Sequence, residues 1–343
     1  MCQRPIGYAV VGAGIWGETH AMAAVSHPFS RLVAVCDIDE GRAKALAEKY
    51  GAELATTNLE DVLRREDVDA VGIATPDFAH TEPAVSALEA GKHTIVEKPL
   101  AMTVEECQRI VEAARKSGAK LMVDFHNRFN PPVVVARQSI ERGEIGQIRY
   151  IYGRLSDTIY VPTEMIRWSD RTTILWFLGS HLVDTMRFLT GDEVARVYGR
   201  VGEGVLKSRG IDTPDFYVAI LDFRGGAMAV MEVSWILAPT EPFIVDFKME
   251  VIGSKGTIYM SPPRHCALER YTEEEGGILD IGIRTEIQGK PRGFAVDAIW
   301  RFIDSLVEDA PVPVPGEEGL KVTKILLAIE ESAKLGRAVD VEV

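Results

Sequence analysis

The stretch Ile6-Gly7-Tyr8-Ala9-Val10-Val11-Gly12-Ala13-Gly14-Ile15-Trp16-Gly17 decides the fold. Its first six residues are mostly apolar and predict a buried strand, and the pattern Gly-x-Gly-x-x-Gly follows directly. A helix is predicted to begin where this pattern ends. A strand, a glycine turn and a helix in this order are typical of a dinucleotide-binding Rossmann domain.

Each residue of the glycine turn has an expected role. Gly12 permits the tight turn, Gly14 lets the backbone approach a pyrophosphate, and Gly17 lets the helix pack closely on the strand. Ile15 and Trp16 lie between them in the same cofactor-binding turn. The start of the helix directs free N–H groups and the positive end of its dipole at the phosphates. Chance turn glycines can give the same pattern, so the interpretation depends on the flanking strand and helix.

A second apolar strand, Leu32–Cys36, ends in Asp37, twenty positions beyond Gly17. An acid at this place accepts hydrogen bonds from the adenosine ribose hydroxyls and repels a 2′-phosphate. The sequence therefore favours NAD over NADP as the cofactor. The alternative is that Asp37 is only a turn residue before the next helix.

Length and composition limit the classes of protein. A chain of 343 residues is expected to form two domains. Its 38 basic and 51 acidic residues give a net charge of −13, which argues against binding to nucleic acid or to an anionic membrane. The four cysteines lack C-x-x-C spacing, and neither a signal peptide nor an apolar run of about 20 residues is recognised. We therefore expect reduced thiols and a cytoplasmic location.

Residues 1–124 are predicted to form the Rossmann domain, because short apolar strands alternate with amphipathic helices. The predicted strands are Ile6–Val11, Leu32–Cys36, Ala70–Ala74, Thr94–Glu97 and Lys120–Val123. The predicted helices are Gly17–Val25, Glu40–Tyr50, Asn58–Arg64, Thr81–Ala90 and Val104–Ser117. Strands buried on both faces predict a parallel sheet, and the whole chain is expected to belong to the α/β class.

Residues 125–343 are predicted to form a C-terminal α+β domain with a large, open, mostly antiparallel sheet. The predicted strands are Ile148–Arg154, Val194–Val201, Asp215–Asp222, Ala227–Ile236 and Asp246–Gly253, with a hairpin turn at Gly225-Gly226. Helices are predicted at Val133–Arg142, Leu175–Leu189, Phe294–Glu308 and Glu317–Leu335, and a solvated loop at Glu273–Gly277. The last helix could pack back on the first domain.

Glu97-Lys98-Pro99 stands at the carboxyl end of a predicted parallel strand. Ligands of open parallel sheets bind just outside these strand ends. Lys98 could hydrogen-bond a substrate oxygen there and stabilise the charge that develops on it. The following proline holds Lys98 in an extended conformation. The alternative is an exposed surface lysine.

Several motifs together resemble the glucose-fructose oxidoreductase/inositol dehydrogenase/rhizopine-catabolism family, written Gfo/Idh/MocA. The resemblance covers essentially the whole chain. The motifs are the glycine turn, ATPDFAH at 74–80, ALEAGKH at 87–93, EKPLA at 97–101, NRFNP at 127–131 and GSHLVD at 179–184. The resemblance implies a Rossmann domain followed by an α/β domain whose open sheet commonly forms a dimer or tetramer interface. A homodimer or homotetramer is therefore expected.

The resemblance also implies roles for individual residues. Lys98 resembles the family's catalytic lysine, and His181 resembles its catalytic histidine, which takes the hydroxyl proton. The other implied cofactor contacts are Thr75, Pro76 and His80 over the ribose and pyrophosphate, Glu97 near the nicotinamide ribose, and Asn127 and Arg128 beside the nicotinamide. For Asn127 and Arg128 a purely structural role is the alternative.

The segment around His181 departs from the family in one respect. Relatives commonly carry an acid four positions before the histidine, but Phe177 stands there in this chain. Asp184, which shares a helix face with His181, is one candidate replacement. The others are Asp157 and Asp170. Altered or weak chemistry is a further possibility, and on pattern alone His181 also fits a core histidine.

A segment rich in aromatic and polar residues precedes the predicted catalytic helix and is expected to line the substrate pocket. Aromatic rings stacked on C–H faces, with polar groups beside them, suit a carbohydrate. The expected substrate contacts are Lys98, Tyr160, Arg167, Trp168, Trp176, Phe177, His181 and Asp184. Ordinary loop packing is the alternative for this segment.

The sequence thus predicts an NAD-dependent enzyme that transfers hydride between nicotinamide and a secondary alcohol of a sugar, sugar derivative or cyclitol. Imine or enal reduction and redox-assisted glycoside cleavage are alternatives on the same scaffold, and a non-catalytic NAD-binding sensor is an alternative of another class. The seven histidines show no metal-ligand spacing, so no metal is expected.

Overall fold

The computed structural model describes residues 4–262, 267–271 and 276–342. The chain forms two compact units, the first made of Met1–His126 and Ile283–Leu320 and the second of Asn127–Gly282 and Lys321–Val343. The sequence analysis placed all of 125–343 in the second domain. The structure differs because the chain returns to the first unit at Ile283.

The strands and helices are numbered in chain order. The strands are β1 Ile6–Val11, β2 Ser30–Cys36, β3 Leu54–Thr56, β4 Ala70–Ile73, β5 His93–Glu97, β6 Leu121–Asp124, β7 Ile148–Asp157, β8 Val194–Gly202, β9 Phe216–Phe223, β10 Met228–Ser234, β11 Val245–Gly253, β12 Thr257–Met260, β13 Ala267–Tyr271, β14 Gly276–Asp280, β15 Thr285–Ile287, β16 Lys290–Arg292 and β17 Val339–Asp340. The α-helices are α1 Ile15–Ser26, α2 Glu40–Tyr50, α3 Leu59–Leu63, α4 Thr81–Glu89, α5 Val104–Ser117, α6 Pro131–Glu141, α7 Ser180–Thr190, α8 Phe294–Val307 and α9 Gly316–Leu335. Short 3₁₀ turns include Asp77–Ala79, His126–Phe129 and Ser169–Arg171, and π-helical turns occupy Val161–Met165 and Leu175–Gly179.

The first unit contains a parallel sheet in the order β3-β2-β1-β4-β5-β6. This order is that of the doubly wound dinucleotide-binding fold. Its strands are continuous apolar runs, and Val10, Val35, Val71 and Ile95 are fully buried. Continuous apolar strands need helices over both faces of the sheet, which is why they alternate with helices along the chain. The predicted Rossmann fold is confirmed.

Local capping explains why two helices have the predicted bounds. Asp39 accepts a hydrogen bond from the backbone N–H of Arg42 at the start of α2, and Thr103 does the same for Glu106 at the start of α5. Each helix ends at a glycine in the left-handed region, Gly51 for α2 and Gly118 for α5. The predicted helices Glu40–Tyr50 and Val104–Ser117 are therefore confirmed to the residue.

The second unit contains a sheet in the order β12-β11-β7-β10-β9-β8-β17. Its described pairs are antiparallel except β7 with β10, which are parallel. Residues alternate between a buried face and an open face, and Ala229, Met231 and Met249 on the buried face have no exposed surface. β9 and β10 form the predicted hairpin, with Gly226 at a φ of 88°. The predicted open, mostly antiparallel sheet is confirmed.

Several short elements were not predicted. β3, β12, β17 and the hairpins β13–β14 and β15–β16 are too short for a clear period-2 pattern. Of the predicted loop Glu273–Gly277, residues 273–275 lie outside the described residues, whereas 276 and 277 begin β14. In the described parts of the chain, no helix combines the length and the apolar character needed to cross a bilayer.

Candidate cofactor and active site

The glycine turn has two positions fixed by packing and one that opens outward. Gly12 has a φ of 99°, and a Cβ atom on it would overlap the carbonyl oxygen of Ala74. A Cβ atom on Gly17 would overlap the carbonyl oxygen of Gly12. At Gly14, by contrast, a Cβ atom would meet no atom of the described residues within 4 Å. The backbone at Gly14 is therefore open to a ligand.

The start of α1 fits a pyrophosphate. Gly14 is the N-cap residue, and within the described residues no side chain caps this helix. The first N–H groups of a helix have no acceptor within the helix itself, and uncapped N–H groups of this kind bind phosphate. Ile15 is half exposed in the same turn, as a residue at a ligand-facing edge can be.

Asp37 is held beside this turn. One carboxylate oxygen accepts a 2.7 Å hydrogen bond from the N–H of Ala13, and the other accepts a 2.8 Å bond from the N–H of Asp39. The guanidinium of Arg42 donates to the same oxygen at 2.8 Å. Asp37 is thus tied to the glycine turn, and its predicted contact with the adenosine ribose stays a prediction. Arg42 lies in the first turn of α2 and partly neutralises this carboxylate, a contact that the sequence spacing did not reveal.

His80 joins two loops at the carboxyl edge of the sheet. Its Nε2 lies 2.9 Å from the carbonyl oxygen of Thr75, and its Nδ1 lies 2.7 Å from that of Pro99. Thr75 donates its hydroxyl to the carbonyl of Ala79 at 2.9 Å, which closes the loop that begins with Pro76. Burial lowers the pKa of His80, whereas its hydrogen bonds to the two carbonyl oxygens raise it, because each carbonyl accepts and needs an N–H donor. The predicted cofactor loop is therefore fixed to the segment that carries Lys98.

Lys98 is buried, with 5% of its surface exposed. This contradicts the alternative of an exposed surface lysine. Its positive charge lowers the pKa of the carboxyl groups of Glu97 and Asp124, against the larger effect of burial, which raises both. The ammonium group therefore belongs to a set of charged groups at the carboxyl ends of β5 and β6.

Glu97 faces the interior of the first unit. It is 3% exposed, and its Oε1 lies 3.3 Å from Nε2 of His20 on α1. The predicted contact with the nicotinamide ribose stays a prediction. Sequence reasoning missed His20 and Asp124. The signal for Asp124 was a polar residue between Val123 and Phe125, whereas His20 follows Glu18 and Thr19 and has no such signal. Trp16 of the glycine turn stacks on His126 with ring centroids 4.8 Å apart.

In the second unit, His181 lies in the first turn of α7 and is 4% exposed. Asp184 follows one turn later and is fully buried. The guanidinium of Arg128 donates two hydrogen bonds to its carboxylate, at 2.8 and 2.6 Å. Asn127, which directly precedes Arg128, is also buried. The Arg128–Asp184 ion pair favours the structural alternative for Arg128 and weakens the case for Asp184 as the replacement acid.

Phe177 occupies the place of the family's acid within an aromatic cluster. Its ring lies 5.7 Å from that of Trp235 and 6.1 Å from that of Trp168. The indole N–H of Trp235 donates to the buried carboxylate of Asp157 at 3.2 Å. Asp170, the third candidate, is exposed on a 3₁₀ turn. Of the three candidate acids, Asp157 is thus the one bound to a neighbour of Phe177.

The remaining predicted substrate residues differ in exposure. Tyr160 and Arg167 are exposed and Trp168 is half-buried, so all three present surface that a ligand could contact. Trp176 is only 3% exposed and donates its indole N–H to Glu330 at 3.0 Å. The structure gives Trp176 a packing role in the second unit, and its predicted substrate contact remains a prediction.

A Rossmann unit with an open glycine turn and an aspartate held beside it, followed by an α+β unit with an open sheet, is the arrangement of two-domain nicotinamide-dependent oxidoreductases. Two family models match the chain. The model for the oxidoreductase family with an NAD-binding Rossmann fold matches residues 6–125, and the model for the GFO/IDH/MocA C-terminal domain matches residues 133–259. The chain belongs to the Gfo/Idh/MocA oxidoreductase family, and its Rossmann domain is of the NAD-binding type.

Curated relatives cover most of the chain. The scyllo-inositol 2-dehydrogenase (NAD(+)) of Bacillus subtilis (strain 168) is 34% identical over 266 residues, which are 77% of this chain and 76% of that protein. The D-glucoside 3-dehydrogenase of Escherichia coli (strain K12) is 27% identical and covers 99% of each chain. The crystal structure of myo-inositol 2-dehydrogenase from Lactobacillus plantarum shares the fold, with a TM-score of 0.85 and 23% identity over 99% of this chain and 100% of that one. The family resemblance seen in the sequence is confirmed.

Proposed function

We propose that this protein is an NAD-dependent dehydrogenase that oxidises a secondary alcohol of a sugar, sugar derivative or cyclitol. The observation that carries this proposal is Lys98, a buried lysine directly after β5 at the carboxyl edge of a Rossmann sheet. Substrates of open parallel sheets bind at this edge. The curated relatives named for inositol and glucoside oxidation support the substrate class.

In this proposal Lys98 and His181 act on one hydroxyl group. Lys98 donates a hydrogen bond to the alcohol oxygen and stabilises its developing negative charge. His181 accepts the hydroxyl proton as general base. Bound NAD supplies the hydride acceptor, so that the alcohol carbon loses a hydride while its oxygen loses a proton and a ketone forms. Asp37, Gly14 and the start of α1 hold the dinucleotide.

The aromatic residues favour a substrate with an apolar ring face. Trp168 and Phe177 form an apolar contact of the kind that packs against the C–H face of a cyclic sugar. Phe177 cannot accept a hydrogen bond from a substrate hydroxyl as the family's acid does. We therefore propose that the substrate lacks a free hydroxyl at that contact or is a substituted sugar such as a glycoside, in preference to an unsubstituted inositol.

The test is a panel of inositols, free sugars and glycosides, each incubated with the protein and NAD while the absorbance of reduced nicotinamide is followed. We expect turnover with at least one cyclic substrate and its loss in Lys98→Met and His181→Phe, with NAD binding retained in both variants. Lys116→Met, an exposed lysine on α5, is the matched control. Turnover that survives Lys98→Met would refute the assignment. Tight NAD binding without turnover on the whole panel would favour the sensor alternative.

We further propose a homodimer or homotetramer formed through the open face of the second sheet. The strand register places one row of residues side by side across six strands of this face. The row is Tyr198, Ile220, Val230, Tyr152, Glu250 and Tyr259. Ile220 is 39% exposed and Tyr259 is 68% exposed. A row of this kind supports burial against a second copy of the chain.

The oligomer proposal is tested by light scattering coupled to size exclusion. We expect a mass of two or four chains for the parent protein and of one chain for the double variant Ile220→Asp/Val230→Asp. A monomeric parent protein would contradict the oligomer proposal.

We also propose a cytoplasmic location, where reducing conditions keep thiols such as those of the buried residues Cys36 and Cys107 intact. Fractionation of the source cells tests this location.

A further inference from the structure

Two carboxyl groups lie side by side in the core of the first unit. Glu97 ends β5 and Asp124 ends β6, and the two are register partners in adjacent parallel strands. Glu97 is 3% exposed and Asp124 has no exposed surface. One oxygen of each and a ring nitrogen of His20 all lie within 4.8 Å of one another. Two ionised carboxylates this close in a buried environment repel each other strongly.

His20 does not supply a positive charge to balance them. Its Nδ1 lies 2.7 Å from the hydroxyl of Tyr8, and its Nε2 lies 3.3 Å from Oε1 of Glu97. A neutral ring satisfies both contacts, with the tyrosine hydroxyl donating to Nδ1 and the Nε2–H donating to Glu97. Burial lowers the pKa of His20 to about 4. Gly72 of β4 leaves the room for this arrangement, because a Cβ atom there would overlap Tyr8 and His20.

The carboxyl pair also has oxygens that are not otherwise satisfied. Among the described residues, Oε2 of Glu97 and both oxygens of Asp124 have no hydrogen-bond partner. Buried carboxylate oxygens rarely lack a hydrogen-bond partner. Burial raises the pKa of Glu97 to about 7 and that of Asp124 well above its usual range. The charge of Glu97 raises the pKa of Asp124 further, whereas the neighbouring Asp124 lowers the pKa of Glu97. A proton between the two carboxyl groups satisfies one oxygen of each and removes the repulsion.

We propose that Glu97 and Asp124 share one proton and so present a single negative charge to Lys98, which makes both acids positioning residues for its ammonium group. This inference rests on the proposed role of Lys98. A single negative charge attracts the ammonium group of Lys98 less strongly than two would, so that the group can still reach a substrate oxygen. The titratable groups that face the pair are Tyr8 of β1, His20 of α1, Asp77 of the 3₁₀ turn after β4, Lys98 after β5 and His126 after β6.

A bound cation is the competing explanation for the cluster of His20, Glu97 and Asp124. His20, Glu97 and Asp124 offer one ring nitrogen and two carboxylates, which a divalent metal can accept as ligands. The charge of Lys98 acts on both carboxyl groups and opposes a second cation there. Metal analysis of the purified protein decides between the two. A stoichiometric cation that is lost in Asp124→Asn would overturn the shared proton.

The direct test is infrared spectroscopy of the whole protein at neutral pH, because a protonated carboxyl group has its own C=O band. The difference spectrum between the parent protein and Glu97→Gln/Asp124→Asn is expected to show one such band, shifted in D₂O. Absence of the band from the parent protein would overturn the proposal. This readout needs no substrate, so it also stands if no turnover is found.

Turnover gives the second readout once a substrate is known. Asp124→Asn keeps the Glu97 carboxylate, so kcat/KM is expected to stay within about threefold of the parent value. The double variant removes the negative charge that faces Lys98, and a fall of about tenfold is expected, equivalent to about 1.4 kcal/mol. The basic limb of its pH profile should move to lower pH. A loss of equal size in Asp124→Asn and in the double variant would contradict the shared charge. Asp297→Asn on α8 is the control.

Discussion

The guanidinium of Arg128 holds the carboxylate of Asp184 through two hydrogen bonds, 2.8 and 2.6 Å long. Both side chains are nearly or fully buried, at 11% and 1% exposure. The ring of Phe188 packs on the same guanidinium at 5.2 Å. This pair joins the turn after β6 to α7, the helix that carries His181. Because both carboxylate oxygens of Asp184 accept from Arg128, the pair weakens the hypothesis that Asp184 replaces the acid missing at Phe177.

The first prediction concerns this ion pair. Arg128→Ala leaves a buried carboxylate without its cation, and we expect a loss of stability of about 3–5 kcal/mol. Arg128→Met/Asp184→Leu should recover part of that loss, because it removes both charges together. Chemical denaturation measures each value. A stable Asp184→Asn protein that has lost turnover and the acid limb of its pH profile would instead identify Asp184 as the acid.

The second prediction concerns cofactor preference. Asp37→Ala removes the ribose acceptor and the partner of the Ala13 N–H, while Arg42 stays beside the vacated position. We expect the ratio of NAD to NADP affinity to fall by at least about tenfold, which is about 1.4 kcal/mol. Arg42→Ala is the matched control and should keep the preference for NAD. Stronger binding of NADP than of NAD by the parent protein would show that Asp37 has been misinterpreted.

The third prediction concerns acid stability. His126 stacks on Trp16, and burial lowers the pKa of its ring to about 3. Below the ordinary histidine pKa of 6.5 the unfolded chain binds a proton at this ring that the folded chain does not. The folded state is therefore destabilised progressively as pH falls from 6.5 towards 3, by up to about 1.4 kcal/mol per pH unit.

His126→Phe keeps the aromatic stacking and removes this titration. Its free energy of unfolding should fall less steeply with decreasing pH than that of the parent protein, with the difference growing below pH 6.5. Denaturation at a series of pH values measures both slopes. Parallel slopes would mean that His126 titrates alike in the folded and unfolded chains.

The Rossmann sheet could be predicted from the sequence because its signals are local. A continuous apolar strand such as Ile6–Val11 and capped helices such as Glu40–Tyr50 are determined by neighbouring residues. The family motifs likewise identified Lys98 and His181 as candidates. The return of Ile283–Leu320 to the first unit could not be predicted, because it depends on contacts between residues far apart in sequence.

The partners of the polar residues buried in the first unit also could not be predicted from the sequence. Tyr8, His20 and Asp124 lie far apart in the sequence, and only the fold brings them to Glu97. The pairing of Arg128 with Asp184 spans 56 residues, so the helix spacing that suggested a shared role with His181 could not reveal it. Local pattern thus predicts elements and motifs, whereas the partner of a buried charge depends on tertiary structure.

Titration calorimetry of NAD on Gly14→Val tests the central claim most directly. A Cβ atom at Gly14 would meet no described atom within 4 Å, whereas one at Gly17 would overlap the carbonyl oxygen of Gly12. We expect the parent protein to bind one NAD per chain and Gly14→Val to lose binding while its stability changes by less than about 0.5 kcal/mol. Gly17→Val, the matched control, should lose stability as well. Failure of the folded parent protein to bind NAD, or unchanged binding by Gly14→Val, would contradict the account.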